Sequence, residues 1–127
     1  MTQGVPRFLL SAFLLVWVPA NFAAELLSAL PGLAARGAPA IIELIAHGAV
    51  AALAAAAGIA IRTDSSSALP LAALAVTAAA VVAVQSLYWS FLPRQTMPGD
   101  RLPLAGLNLA HAAAWLLYFR RRARFSR

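Results

Sequence analysis

The sequence predicts an all-α integral membrane protein, an up-down bundle of four transmembrane helices with both termini cytoplasmic. Three observations carry this. The 127 residues are 62% hydrophobic and only 11% charged, too little polar surface to cover a soluble domain of that size. Four apolar runs, residues 8–30, 38–61, 68–92 and 102–119, reach or approach the ~20 residues an α-helix needs to cross a bilayer. The ten cationic residues are all arginine and are spread unevenly between the two sets of helix ends, as the positive-inside bias requires.

The first run follows Arg7 and could be taken for a secretory leader. It lacks a small-x-small cleavage site, since a cut after Ala24 puts Phe22 at the third position back, so it is expected to be retained as a signal anchor. Pro19 within it should kink the helix. The second run opens at Pro39 and continues through "HGAVAALAAAAGIA", small residues that let membrane helices approach closely, with Gly48 and Ala52 one such step. The third, containing "AVTAAAVVAV", is interrupted only by Gln85 and small hydroxyl residues. The fourth is the shortest and ends in arginines that can snorkel to the interface. The connections "PGLAARGAP", "RTDSSSALP" and "PRQTMPGDRLP" hold the Pro, Gly, Asp and Ser of turns. Loops this short make adjacent helices antiparallel, giving one domain over residues 1–127.

Orientation follows from the arginines. Arg7, Arg62, Arg120, Arg121, Arg122, Arg124 and Arg127 fall on one side, and Arg36, Arg94 and Arg101 on the other. The first set is expected in the cytoplasm, at the inner (plasma) membrane of a bacterium. Residues 120–127 form a basic tail in which Arg120, Arg121, Arg122 and Arg124 meet anionic lipid headgroups, each charge contributing about 1 kcal/mol. Because the charge lies at helix ends and in this tail, lipid rather than nucleic acid is the expected partner. With no cysteine, disulfides, thiolate metal sites and cysteine nucleophiles are excluded.

Against this apolar background the polar side chains are ordered. Asn21 and Glu25 lie four apart, Glu43 and His47 four apart, Gln85 and Trp89 four apart, and Asn108 and His111 three apart with Trp115 four later. Such spacings put each group on one face of its helix. Counted from the bounding prolines 31, 39, 93 and 103 at about 1.5 Å per residue, His47, His111 and Gln85 are about 12 Å deep and Asn21 about 15 Å. Glu25, Glu43 and Asn108 are about 6–9 Å deep. All seven fall in the outward half, whereas the cytoplasmic half has only Ser11 and Thr77. Strongly polar groups in a membrane helix cost several kcal/mol unless they meet partners or water. A shared depth therefore predicts one shared pocket.

Glu25, Glu43, His47 and His111 are the candidate metal or ligand residues. Asn21, Gln85 and Asn108 are expected to support them by hydrogen bonds, and Trp89 and Trp115 to line the pocket. Trp115, Tyr118 and Phe119 on the inner side, and Tyr88, Trp89 and Phe91 on the outer, also fit an aromatic belt. "PAIIELIAHGAV" and "PLAGLNLAHAAA" share Pro-x7-His, as if two hairpins were related by an axis along the membrane normal. His47 and His111 would then face each other across the bundle.

Four readings follow. Two Glu and two His suit a divalent metal, Zn or Fe, or a proton-handling or small-ligand site. The Glu-x3-His spacing is not the Glu-x2-His of di-iron bundles. The chain could instead be an accessory or assembly subunit of a homo-oligomer or larger membrane complex, its polar groups being interhelical bonds. Two opposed His could ligate haem b, with room beside Gly48 and Ala112, although Glu25 and Glu43 lie where propionates would go. A small oligomeric transporter is the last, opposed by the apolar cytoplasmic half. The sequence carries no Gly-rich phosphate loop, HExxH or G-x-S-x-G, so it signals neither a reaction nor a substrate.

Overall fold

In a computed structural model the chain is helical, with no strand among the described residues, 4–91 and 102–125; side chains are described for these except at 90, 102 and 123–125. The connection "PRQTMPGDRLP", with Pro93, Arg94 and Arg101, the predicted end of the third helix at Leu92, the side chain of Arg124, and Arg127 lie outside the described residues.

The first rod runs from Gly4 to Arg36 in five pieces: α1 (Gly4–Ala12), a π-helical segment (Phe13–Trp17), α2 (Val18–Ala29), a 3-10 turn (Leu30–Gly32) and α3 (Leu33–Arg36). The π segment lies just before Pro19. Proline has no N–H to give and its ring crowds the carbonyl four residues back, so the preceding turn widens; Val18 N–H donates to the Phe13 carbonyl, five residues away. The rod does not stop at Leu30, as the Pro31–Gly32 pair suggested. It breaks at Gly37, whose φ of 84° and ψ of −171° suit glycine. Pro39 then sits in the first turn of α4 (Ala38–Arg62), where its missing N–H costs nothing.

A tight turn, with Asp64 at φ 54°, leads to α5 (Ala68–Ser90). The last helix, α6, spans Leu102–Phe125, six residues beyond the expected end at 119. The "RRRAR" segment was read as a tail, but Arg and Ala are strong helix formers and nothing there breaks the helix.

Three helical stretches, Gly4–Arg36, Ala38–Arg62 and Ala68–Trp89, are long and apolar enough to cross a membrane. The helix α5 makes its most extensive contacts with α4 and α6, and the rod packs along α4. Between rod and α6 the contacts are mainly between side chains. The core is built from small residues: Ala54, Ala57, Ala72 and Ala75 are fully buried beside Leu14 and Val76, and Gly58 faces Leu15 of the rod. Large apolar side chains such as Leu27, Ile45, Val16 and Phe8 point outward. On a soluble protein they would be a liability, whereas lipid is their natural solvent.

At one end the start of the rod meets the end of α4. The Arg7 guanidinium donates to the Ile61 carbonyl and pairs with Asp64 Oδ1 at 2.6 Å. Free carbonyls at a helix C-terminus favour a cation there. This contact sets the rod antiparallel to α4. Arg7 holds the Asp64 carboxyl below its ordinary value of 3.8. A lowered folded-state pKa contributes stability above the unfolded value and loses it as pH falls through the folded one. Asp64→Asn is therefore expected to lower the melting temperature slightly at neutral pH. The difference should vanish once the pH is taken below 3.8 and past the lowered value. Melting curves of both proteins in detergent, at neutral and acid pH, check this.

Candidate functional site

The sequence places four candidate residues on three helices, and the structure joins three of the residues. Glu25 comes from α2, Glu43 and His47 from α4. Crossing of rod and α4 brings His47 Nδ1 within 2.6 Å of Glu25 Oε1, the ring N–H donating to the carboxylate. On the other side of the ring, Nε2 lies 3.6 Å from Glu43 Oε2, beyond hydrogen-bond range. His47 and Glu25 are buried, at 3% and 8% exposure, and Nε2 has no hydrogen-bond partner. Glu43 is half-buried. The Trp89 ring lies 6.2 Å from the His47 ring at an interplanar angle of 27°.

The arrangement is a carboxylate–imidazole dyad. With Nδ1 committed to Glu25, the ring is fixed in orientation, and Nε2, beside the Glu43 carboxylate, remains to accept or donate a proton.

A second, neutral network adjoins it. Trp17 Nε1 donates to Asn108 Oδ1 at 2.8 Å, Asn108 Nδ2 donates to Asn21 Oδ1 at 3.3 Å, and Asn21 Nδ2 donates to the Trp17 carbonyl at 2.7 Å. The first two link rod and α6. Trp17 was missed as a site residue, although Trp17, Asn21 and Glu25 form one four-residue series. Interhelical hydrogen bonds in membranes average ~0.6 kcal/mol and reach ~1.7 kcal/mol. Trp17→Phe, which keeps most of the ring and removes the donor, is expected to cost about 1 kcal/mol, measurable as a shift in reversible unfolding in mixed micelles. Asn108→Leu should cost more, because it abandons both Trp17 and Asn21.

Glu25, His47, Asn21, Asn108 and Trp17 line one cavity of about 50 Å³, completed by Phe13, Val18, Phe22, Val50, Ala79, Val82 and Ala83. A water needs roughly 10–15 Å³ on such a measure, so a few fit. Pockets for small organic ligands occupy about 300–1,000 Å³. The space expected beside Gly48 is taken by Phe22, whose Cζ would lie 3.1 Å from an added Cβ.

His111 is not part of this group. It packs against Phe13 (4.3 Å between ring centroids, tilted) and Trp17 (5.7 Å, edge-on). It lines a separate open groove of about 540 Å³ between rod and α6, together with Trp115 and Tyr118. The structure thus does not set His47 and His111 as facing imidazoles. Phe13 and Trp17 line both spaces and hold His111 on the groove side. Gln85 is half-buried and makes none of the site's hydrogen bonds, and Trp115 belongs to the core cluster.

Among the described residues no group of three or more His, Cys, Asp or Glu is arranged to hold a metal ion. A zinc site needs at least about three protein ligands. Here Nε2 and Glu43 are two, while Glu25 is spent on Nδ1. No family model matches the chain, and no curated protein and no solved structure resembles it significantly.

Proposed function

We propose that this protein is a four-span membrane bundle, both termini inside, whose Glu25–His47–Glu43 group binds and exchanges a proton in the outward half of the bilayer. The observation that carries this reading is the buried 2.6 Å contact between Glu25 Oε1 and His47 Nδ1, with Nε2 left beside Glu43. Glu25 orients the imidazole, Nε2 takes or gives the proton, Glu43 connects it toward the interface, and the cavity admits water and nothing much larger. The fourth span is α6, whose apolar part lies along α5 and whose arginines reach the inner surface. The arginine bias supports that orientation, and a bacterial plasma membrane with it.

The test is 15N NMR of the imidazoles in labelled protein in nanodiscs, across about pH 5–9. His47 should take up one proton reversibly, Glu25→Gln should abolish its fixed tautomer, and His111→Ala should leave its titration unchanged. A His47 that keeps one protonation state throughout would sink the reading.

A second reading, service in a larger membrane assembly or homo-oligomer, is favoured by the groove between rod and α6. Its walls of Leu9, Val16, Trp17, Trp115 and Tyr118 are apolar, and it also presents His111. The proton site and such a partner are compatible.

A further inference from the structure

At the arginine-rich end, the start of the rod, the α4–α5 turn and the last turns of α6 surround a cavity of about 190 Å³. Its polar lining is Arg7, Arg122, Asp64, Ser65 and Tyr118, and the apolar wall includes Leu10, Leu69 and Phe119. Arg7 is held in place by Asp64 and the Ile61 carbonyl, yet the five N–H donors of a guanidinium are not exhausted by two acceptors. Arg122 makes no ion pair among the described residues. Asp64 is matched by Arg7, so the lining keeps one net positive charge, that of Arg122. A cavity with cationic and hydroxyl groups beside an apolar wall, at a helix end of a membrane bundle, has the polarity profile of a phospholipid: phosphate first, then acyl chain.

We propose that this cavity is a built binding site for the phosphate headgroup of one anionic phospholipid. Its phosphate is held by Arg122 and Arg7 with Ser65 and Tyr118 as hydroxyl donors, and an acyl chain runs out over the exposed Leu69. Arginine suits the task because its planar donors match phosphate oxygens in pairs. The site depends on the membrane reading of the chain but not on the Glu25–His47 dyad. Failure of one leaves the other standing.

Built recognition differs from diffuse attraction in which arginine matters. A basic tail attracts an anionic leaflet roughly equally through each of its charges. A built site singles out Arg122, whereas the neighbouring Arg120 and Arg121 do not line the cavity. The experiment is native mass spectrometry of the detergent-purified protein titrated with phosphatidylglycerol or phosphatidylcholine, with inorganic phosphate as competitor. The wild type should bind one phosphatidylglycerol in preference to phosphatidylcholine. Arg122→Gln should weaken that binding about five- to tenfold, while Arg120→Gln and Arg121→Gln leave it within about twofold. Equal losses in all three variants, or no preference for the anionic lipid, would overturn the proposal. Displacement of the lipid by millimolar inorganic phosphate would overturn it too, making the cavity a site for the free anion. Arg122 is exposed at the surface, so its variant should fold as the wild type does, which circular dichroism of the same sample confirms.

Discussion

Glu25→Leu alone should destabilise the protein by about 1–3 kcal/mol, the usual cost of leaving a buried donor without its acceptor. The variant keeps the bulk of the side chain but leaves His47 Nδ1 without its 2.6 Å acceptor, in a position only 3% exposed. His47→Leu should be costly for the same reason, since Glu25 is then the buried orphan. The double variant Glu25→Leu/His47→Leu should be more stable than either single one, because two apolar side chains of similar volume replace a pair whose desolvation offset much of its attraction. Reversible unfolding in mixed micelles of the four proteins gives the coupling energy. A coupling near ~0.6 kcal/mol would reduce the pair to an ordinary interhelical hydrogen bond, and with it the proton site. The double variant serves a further purpose: it should fold yet lack the His47 imidazole signal, which separates loss of function from loss of structure.

The depth of this pair was legible in the sequence and its partnership was not, for a geometric reason. Depth is a count along one helix at a fixed rise per residue, so Glu25, His47 and Asn108 were expected near one level from Pro31, Pro39 and Pro103 alone, and Glu25 and His47 do meet. Direction around the bundle axis depends on which helices are neighbours and how each is rotated, and no spacing within a helix encodes that. The four-residue rule paired Glu43 with His47, whereas the shorter contact reaches 22 positions back to Glu25. The same blindness set His111 opposite His47, because it could not foresee Phe13 and Trp17 packing on His111. Local chemistry fared unevenly as well. Pro19 announced a distortion but not its form, a π segment on its N-terminal side. The ends of the rod and of α6 were placed too early, since Pro31 and the arginine run signal surface position more than helix termination.

Gly58→Ala is the substitution where two general tendencies oppose each other and the magnitudes decide. In a helix interior, alanine is favoured over glycine by about 0.5–1 kcal/mol. Here, however, an added Cβ would overlap Leu15 Cγ and stand 2.9 Å from its Cδ2. The nearest atom is the branch point of the side chain, so a rotation of the terminal methyls does not relieve the overlap. Rod and α4 must separate, and overpacking of this kind costs about 1–3 kcal/mol. The expected net result is a loss of about 1–2 kcal/mol. Leu15→Ala in the same chain should return part of it by vacating the space. Gly106→Ala is the control, because nothing lies within 4 Å of the Cβ it would add, and it should be neutral or slightly stabilising. A Gly58→Ala protein as stable as wild type would mean that rod and α4 take in the methyl without separating. The seam matters beyond stability because rod and α4 also carry Glu25 and His47, so the fit of Gly58 against Leu15 sets the separation at which the dyad forms. In Gly58→Ala the imidazole signal of His47 should therefore lose the fixed tautomer that Glu25 imposes, although neither residue has been touched.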